Sequence, residues 1–318
     1  MSLDSSSSDD EVDLDLEEAS SLIHGVIENL HEVIVGHDGA VRHLVTAVLS
    51  GGHLLIEDVP GVGKTVLARS FAESFDVSFG RVQFTPDIRP TDITGVNVYN
   101  QKTNDFEFRP GPVFANILLG DEINRAPPRS QAALLEAMEE KQVTVDGETR
   151  SVPSPFTVIA TQNSVETDDV YELPLAQIDR FTKKIHLGYP DPDEETELLR
   201  RTTGDHPLDD LEAVATQEDL VSMRDFVSEV EVSDSVRDYI TRLSEYSREV
   251  SRIGASPRAS ISLMESSQAR AVLNRRDYVT PNDVKEEAHA VLSHRIVGSD
   301  SDGVVSDAVE EVSVPVTE

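Results

Sequence analysis

The chain contains no cysteine and no tryptophan. Lacking the first, it can build no disulfide scaffold, thiolate metal site or cysteine nucleophile. No run approaches the roughly 18 apolar residues of a membrane-spanning helix. The first 20 residues have neither a basic n-region nor an apolar h-region, so no secretory signal is expected and the cytoplasm is the expected location. Lysine is scarce, supplying six of the 27 basic residues, against 60 acidic ones and a net charge of −33. Such a charge repels phosphate backbones and anionic lipid surfaces, so neither nucleic acid nor membrane insertion is expected. The aromatics are sparse and not interleaved with bases, which removes a stacking platform for single strands. The nine histidines show no H-E-x-x-H and no metal-ligand spacing, and His289 and His294 stand five apart on one helix, so surface or packing roles are expected.

What is present is enough for a large core: 38% apolar residues in 318, a length that suggests about two domains. Eight acids and no base lie in residues 1–21, and six acids and no base in 298–318. The body between them is acidic as well. A surface rich in Asp and Glu, with Arg in place of Lys, resembles proteins of salt-in halophiles, where molar salt shortens the Debye length to about 3 Å. The Ser/Asp-rich ends read as disordered acidic tails over 1–21 and 298–318.

Between the tails two textures follow one another. Residues 22–204 alternate short apolar runs with helical patterns: HLLIE (53–57), RVQFT (81–85), NILLGDE (116–122), FTVIATQN (156–163) and KIHLGY (184–189). That alternation predicts an α/β domain with a parallel sheet covered on both faces. Residues 205–297 predict a small all-helical domain. Thr216 with Asp219 forms a capping box, Ser233 caps the next helix, and Thr280 precedes Pro281 at a first helical position. The junction YPDPDEETELLRRTTGDHPLDD is rich in Pro, Gly and Asp.

After HLLIE comes DVPGVGKTVLARSF. Small residues between a strand and a helix let backbone N–H groups wrap a phosphate, and the helix N-terminus adds positive potential. Pro60, Gly61, Val62, Gly63, Lys64, Thr65 and Val66 are thus the expected nucleotide-binding residues, with Lys64 on the β- and γ-phosphates and the Thr65 hydroxyl on Mg²⁺. The full P-loop pattern has Gly at position 58, where this chain has Asp58. An extra carboxylate beside phosphates is expected to weaken nucleotide binding. ILLGDEINRA then ends an apolar strand in Asp121, placed to hold Mg²⁺, and Glu122, placed to polarise the attacking water. FTVIATQN ends in Asn163, which a parallel sheet would set beside them.

P-loop, DEINRAPPRSQAALLEAMEEKQVTVDG, ATQN, LPLAQIDRF and SPRA occur in this order. Together they resemble the MoxR family of AAA+ ATPases, from about Val33 to Ile296. The resemblance implies a three-layer α/β/α nucleotide-binding core with a helical lid, and ATP with Mg²⁺. It implies that Ile34, Val35 and Gly36 border the adenine and that Asn163 is the sensor-1 residue. It further implies that Arg180 is an arginine finger for a neighbouring subunit and that Arg258 is sensor 2, joining the lid to the γ-phosphate. TPDIRPTDITGVNVYNQKTNDFEFRPGPVF resembles the family's insertion in the second helix. EEKQVTVDGETRSVPSPF reads directly as a hairpin about Asp146-Gly147; in the family both elements face a central pore and touch clients. Leu175 stands where an acid is expected, and His37 where Gln is common. The implied function is Mg²⁺-dependent ATP hydrolysis in a homo-oligomeric ring of six subunits that remodels, matures or assembles a client, with a von Willebrand factor A domain protein as the client class the resemblance suggests. The rival readings are a chelatase-type motor subunit and a non-hydrolysing nucleotide-dependent scaffold.

Overall fold

The computed structural model describes residues 14–163, 171–201, 207–298 and 300–315. Two helices come first, α1 (Leu16–Val33) and α2 (Asp38–Leu49). The P-loop strand β1 (Leu54–Asp58) leads to α3 (Lys64–Ser74) and β2 (Phe79–Gln83). A short α4 (Pro90–Thr94) opens onto a hairpin of β3 (Gly95–Asn100) and β4 (Asp105–Pro110). Then come β5 (Ile117–Asp121), α5 (Pro128–Glu140), a second hairpin of β6 (Gln142–Val145) and β7 (Glu148–Ser151), and β8 (Thr157–Asn163). The core closes with α6 (Leu175–Ile178), β9 (Lys183–Ile185) and α7 (Pro192–Arg201).

All five expected apolar runs form one parallel sheet in the order β2-β5-β8-β1-β9. Alternate residues serve opposite faces. Leu54, Ile56, Ile117 and Leu119 pack with α1, α2 and α3, whereas Leu55, Leu118, Val158 and Ala160 pack with α5 and the second hairpin. Burial on both faces explains why these strands read as continuous apolar runs. Strand β9 is shorter than the sequence predicts. The N–H groups of Leu187 and Gly188 donate to the Asp58 carboxylate at 2.6 and 2.7 Å, which takes them out of the ladder.

The helical domain holds α8 (Gln217–Glu229), α9 (Asp234–Val250), α10 (Pro257–Leu273), α11 (Pro281–Leu292) and α12 (Ser301–Glu311). The capping box at Thr216 and the cap at Ser233 form as expected, and Thr280 caps α11, in a capping box with Asp283 that the sequence reading does not include. α10 is buried along most of its length and packs against α1 and α2 of the core as well as α8, α9 and α11.

Both tails need correction where they are described. The disordered stretch expected over 1–21 is helical from Leu16, because Asp15 and Glu18 form a capping box and Ala19 is fully buried. The stretch expected disordered over 298–318 contains α12, capped by Asp300, which buries Val305 and Ala308 against the lid. Two small residues four positions or fewer apart give a narrow apolar stripe that acidic composition masks. The Pro/Asp-rich junction also carries α7, whose Arg201 donates to the carbonyls of His31 and Glu32.

Candidate active site

Only residues 59–63 separate β1 from α3. To turn that sharply the backbone enters the left-handed region at Gly61 (φ 89°) and Gly63 (φ 91°), where a side chain is strained. A Cβ built on either would meet no protein atom within 4 Å, so the space beside the loop is open. That space is a cleft of about 350 Å³ lined by Pro60, Gly61, Gly63, Lys64, Thr65, Val66, Asp121, Glu122 and Asn163. Val62 is instead turned inward, 8% exposed. The sheet order explains the convergence: β8 lies between β5 and β1, so their carboxyl ends share one edge.

The Lys64 ammonium donates to the carbonyl of Asp58 at 2.9 Å. Burial lowers its pKa against the opposing attraction of Asp58, Asp121 and Glu122. Asp121 and Glu122 bring two carboxylates to the cleft beside the Thr65 hydroxyl, oxygen donors of the kind a divalent cation takes. Asp121 accepts the Thr161 hydroxyl at 2.7 Å on one oxygen and Arg81 at 2.6 Å on the other. A carboxylate offers about four lone-pair sites, so it can still hold a cation directly or through water. Thr65, in the first turn of α3, supplies a hydroxyl to the same cleft.

Glu122 adopts a left-handed backbone (φ 56°), strained for a side-chain-bearing residue. Its N–H donates to Thr161 Oγ1 at 2.9 Å. Its carboxylate accepts Gln83 Nε2 at 2.9 Å and Arg125 at 3.0 Å. Asn163 ends β8 directly opposite Asp58 in register and is 6% exposed.

Asp58 is placed differently from a carboxylate beside the phosphates. Its carboxylate does not join the cleft lining but accepts three backbone N–H groups, from Val59, Leu187 and Gly188. Burial pushes its pKa up, but those three bonds and the Lys64 charge outweigh burial, and the net shift is down. Asp58 thus ties the entrance of the loop to the exit of β9.

Arg180 and Arg258 do not line the nucleotide cleft. Both line another, of about 270 Å³, and both end on Glu139 of α5, at 2.8 and 2.7 Å. Ile34, Val35 and Gly36 also lie outside the nucleotide cleft lining. They link α1 to α2, where a Cβ on Gly36 would collide with the Glu194 carboxylate of α7.

Sequence reasoning passes over Gln83, Arg81, Thr161, Arg125 and Glu139. Arg81 and Gln83 stand two apart on β2, hence on one side of it, and Gln83 pairs in register with Asp121. Two polar residues alternating within RVQFT are the available signal, legible only once β2 is known to neighbour β5. Among the described residues no group of three or more His, Cys, Asp or Glu is arranged to hold a metal by itself, and no helix is long and apolar enough to cross a membrane. His294 is buried and its Nε2 lies 3.0 Å from the Phe181 carbonyl, a packing role.

Residues 53–183 match the family described as "ATPase family associated with various cellular activities (AAA)", and residues 244–316 match the "AAA lid domain". The chain is 44% identical over 310 residues to YeaC of Bacillus subtilis (strain 168), covering 94% of this chain and 97% of that one. It is 41% identical over 291 residues to chaperone MoxR1 of Mycobacterium tuberculosis, covering 88% and 76%. A crystal structure from Cytophaga hutchinsonii aligns with a TM-score of 0.87 at 38% identity, covering 94% of this chain and 97% of that one. A P-loop cleft at the edge of a parallel five-stranded sheet, a helical lid and these relatives agree: the chain belongs to the MoxR family of AAA+ ATPases.

Proposed function

We propose that the chain hydrolyses ATP with Mg²⁺ as one subunit of a homo-oligomeric ring, and that hydrolysis drives remodelling, maturation or assembly of a client protein. The observation that carries this reading is a separation. The cleft collects Lys64, Thr65, Asp121, Glu122 and Asn163, whereas Arg180 and Arg258 pair on Glu139 outside it. A cleft that holds its phosphate, metal and water groups but neither Arg180 nor Arg258 fits a site completed by a neighbour. Sensor 2 is accordingly reassigned: Arg258 travels with Arg180 to the neighbouring nucleotide rather than to its own.

The residues divide the work. Backbone N–H groups of the loop and the Lys64 ammonium bind the phosphates. Thr65 and Asp121 hold Mg²⁺, which supplies charge neutralisation on the phosphate oxygens. Glu122 takes the proton of the attacking water, and Asn163 orients that water. Arg180 and Arg258 of the adjoining subunit stabilise charge on the transferring phosphoryl group. An arginine finger is worth about 10³–10⁵ in rate in some NTPases. Ile34–Gly36 border the adenine in this reading.

The β3–β4 hairpin supports client contact. Tyr99 and Phe106 stand 50% and 65% exposed at its end, stacked edge to face with centroids 5.4 Å apart. Asn97 of this hairpin donates to Asp146 at the tip of the other at 3.0 Å, so the two hairpins are linked. The chaperone name of the mycobacterial relative points the same way. Six subunits, a client with a von Willebrand factor A domain, a cytoplasmic location and activity in molar salt complete the proposal.

The test is Mg²⁺-dependent ATP hydrolysis in molar KCl over a wide range of protein concentration, with Glu122→Gln and Arg180→Ala beside the wild type. Specific activity rising with concentration, and lost in both variants, is the expected result. A specific rate independent of concentration would overturn the shared site.

A further inference from the structure

Arg180 sits on a turn that the lid grips from several sides. Arg295 lies in the helical turn Ser293–Arg295 after α11 and is 3% exposed. Its guanidinium makes an ion-pair contact with Asp179 Oδ1 at 3.0 Å. It also donates to the carbonyls of Asp179 and Phe181 at 3.1 and 3.0 Å. These two residues flank Arg180 in sequence, so the Nη2 amino group alone holds the backbone on either side of it. The guanidinium is itself fixed, by the Val291 carbonyl at 3.0 Å and the Ser262 hydroxyl at 3.3 Å. Ser256, the N-cap of α10, reaches Asp179 from the other side at 3.3 Å. Phe181 is fully buried, which anchors the far end of the turn.

The chemistry favours a positioning task over simple packing. Burial lowers the Arg295 pKa to about 10, opposed by Asp179, so a cation is kept in the interior at a cost. A packing role needs no single Nη2 amino group aimed at two carbonyls two positions apart. An arginine fork supplies fixed geometry that lysine lacks. The turn it fixes carries the guanidinium whose aim decides whether a phosphate oxygen is reached.

We infer that Arg295 is a positioning residue for Arg180: through Asp179 and the carbonyls of Asp179 and Phe181, the lid sets the aim of the arginine that serves the neighbouring subunit. The inference rests on the reading of Arg180 as acting in trans.

The test uses mixed full-length subunits. Arg295→Met should bind ATP with unaltered Kd while kcat falls by about 10²-fold, the scale of a roughly 1 Å misplacement. Arg295→Lys should recover only part of the loss. Arg295→Met subunits should then be mixed with Lys64→Ala subunits, which cannot hydrolyse but carry an intact finger. Activity should reappear, because wild-type fingers meet intact clefts. Arg180→Ala mixed with Lys64→Ala is the control for the shared site itself. If that control stays silent, the trans reading falls and this inference with it. If the control recovers but the Arg295→Met mixture does not, the positioning role is wrong and the shared site stands. Asp179→Asn, which keeps the carbonyl bonds and removes one charge, covers the case in which Arg295→Met does not fold. It should lower kcat and recover in the same mixture; an unchanged kcat would count against the inference.

Discussion

The Lys183 ammonium lies 2.7 Å from a carboxylate oxygen of Glu287, and neither side chain is exposed. Lys183 belongs to β9 of the core and Glu287 to α11 of the lid. Arg270 reaches the other oxygen of Glu287 at 2.7 Å, and His43 of α2 stands 3.2 Å away. Burial brings the Lys183 pKa down to about 8 against the pull of Glu287. One buried acid therefore balances cations from both domains. Glu287→Gln should lower the unfolding free energy by about 3–5 kcal/mol, because the buried Lys183 loses its counter-charge and Arg270 keeps only the longer contact to Glu286 at 3.6 Å. Denaturant unfolding at fixed KCl checks this; a loss below about 1 kcal/mol would show that water or another acid replaces Glu287.

Replacing Asp58 should harm the site. Asp58→Gly restores the full P-loop pattern but strands the N–H groups of Val59, Leu187 and Gly188, each costing about 1–3 kcal/mol if left unsatisfied in the interior. The expected outcome is a lower melting temperature and weaker ATP binding, read by thermal unfolding with and without nucleotide. Tighter binding with unchanged stability would restore the view of Asp58 as an intruding charge.

Glu122→Gln should reduce kcat by about 10²–10⁴-fold, the usual worth of a general base, with ATP binding retained. Gln83→Ala removes the 2.9 Å bond that holds the Glu122 carboxylate. It should raise the basal hydrolysis rate a few-fold, since the carboxylate keeps its Arg125 contact but loses the other restraint and can turn to water more often. Steady-state kinetics of the two variants separate the chemical role of Glu122 from its restraint.

His53 provides an acid-sensitive point. It is buried beside β1, accepts the Val158 N–H at 2.9 Å and lies 3.3 Å from the Met138 carbonyl. Burial first, then the Lys141 charge, lowers its pKa to about 3 from 6.5. The unfolded chain therefore binds the extra proton between those values, and stability falls as pH drops from 6.5 toward 3. The slope from this one group approaches about 1.4 kcal/mol per pH unit. His53→Gln should flatten the stability profile in that window relative to wild type; an identical slope would mean that His53 is not neutral in the folded protein.

The sequence carries the sheet well because its strands are buried on both faces and bounded by turn residues. Gly61, Gly63, Lys64, Asp121, Glu122 and Asn163 were legible because each ends or follows such a strand. Their restraints were not. Gln83 meets Glu122 only through the β2–β5 register, and Glu139 meets Arg180 and Arg258 only because three separate elements converge. The helical ends were missed for a related reason: Ala19, Val305 and Ala308 are buried among acidic neighbours, and composition averages them away. The place of the Asp58 carboxylate is not legible because two of its three partners lie about 130 positions downstream.

In the proposed ring, the single carboxylate of Glu139, shared by Arg180 and Arg258, would have the neighbour's nucleotide as a competitor. For either arginine to move across a subunit boundary, one anion must be exchanged for another. A triphosphate offers more negative charge for that exchange than a diphosphate does. On that proposal, the same internal acid that holds the two arginines together would set a threshold, below which a spent nucleotide would lose both of them at once and the boundary would relax.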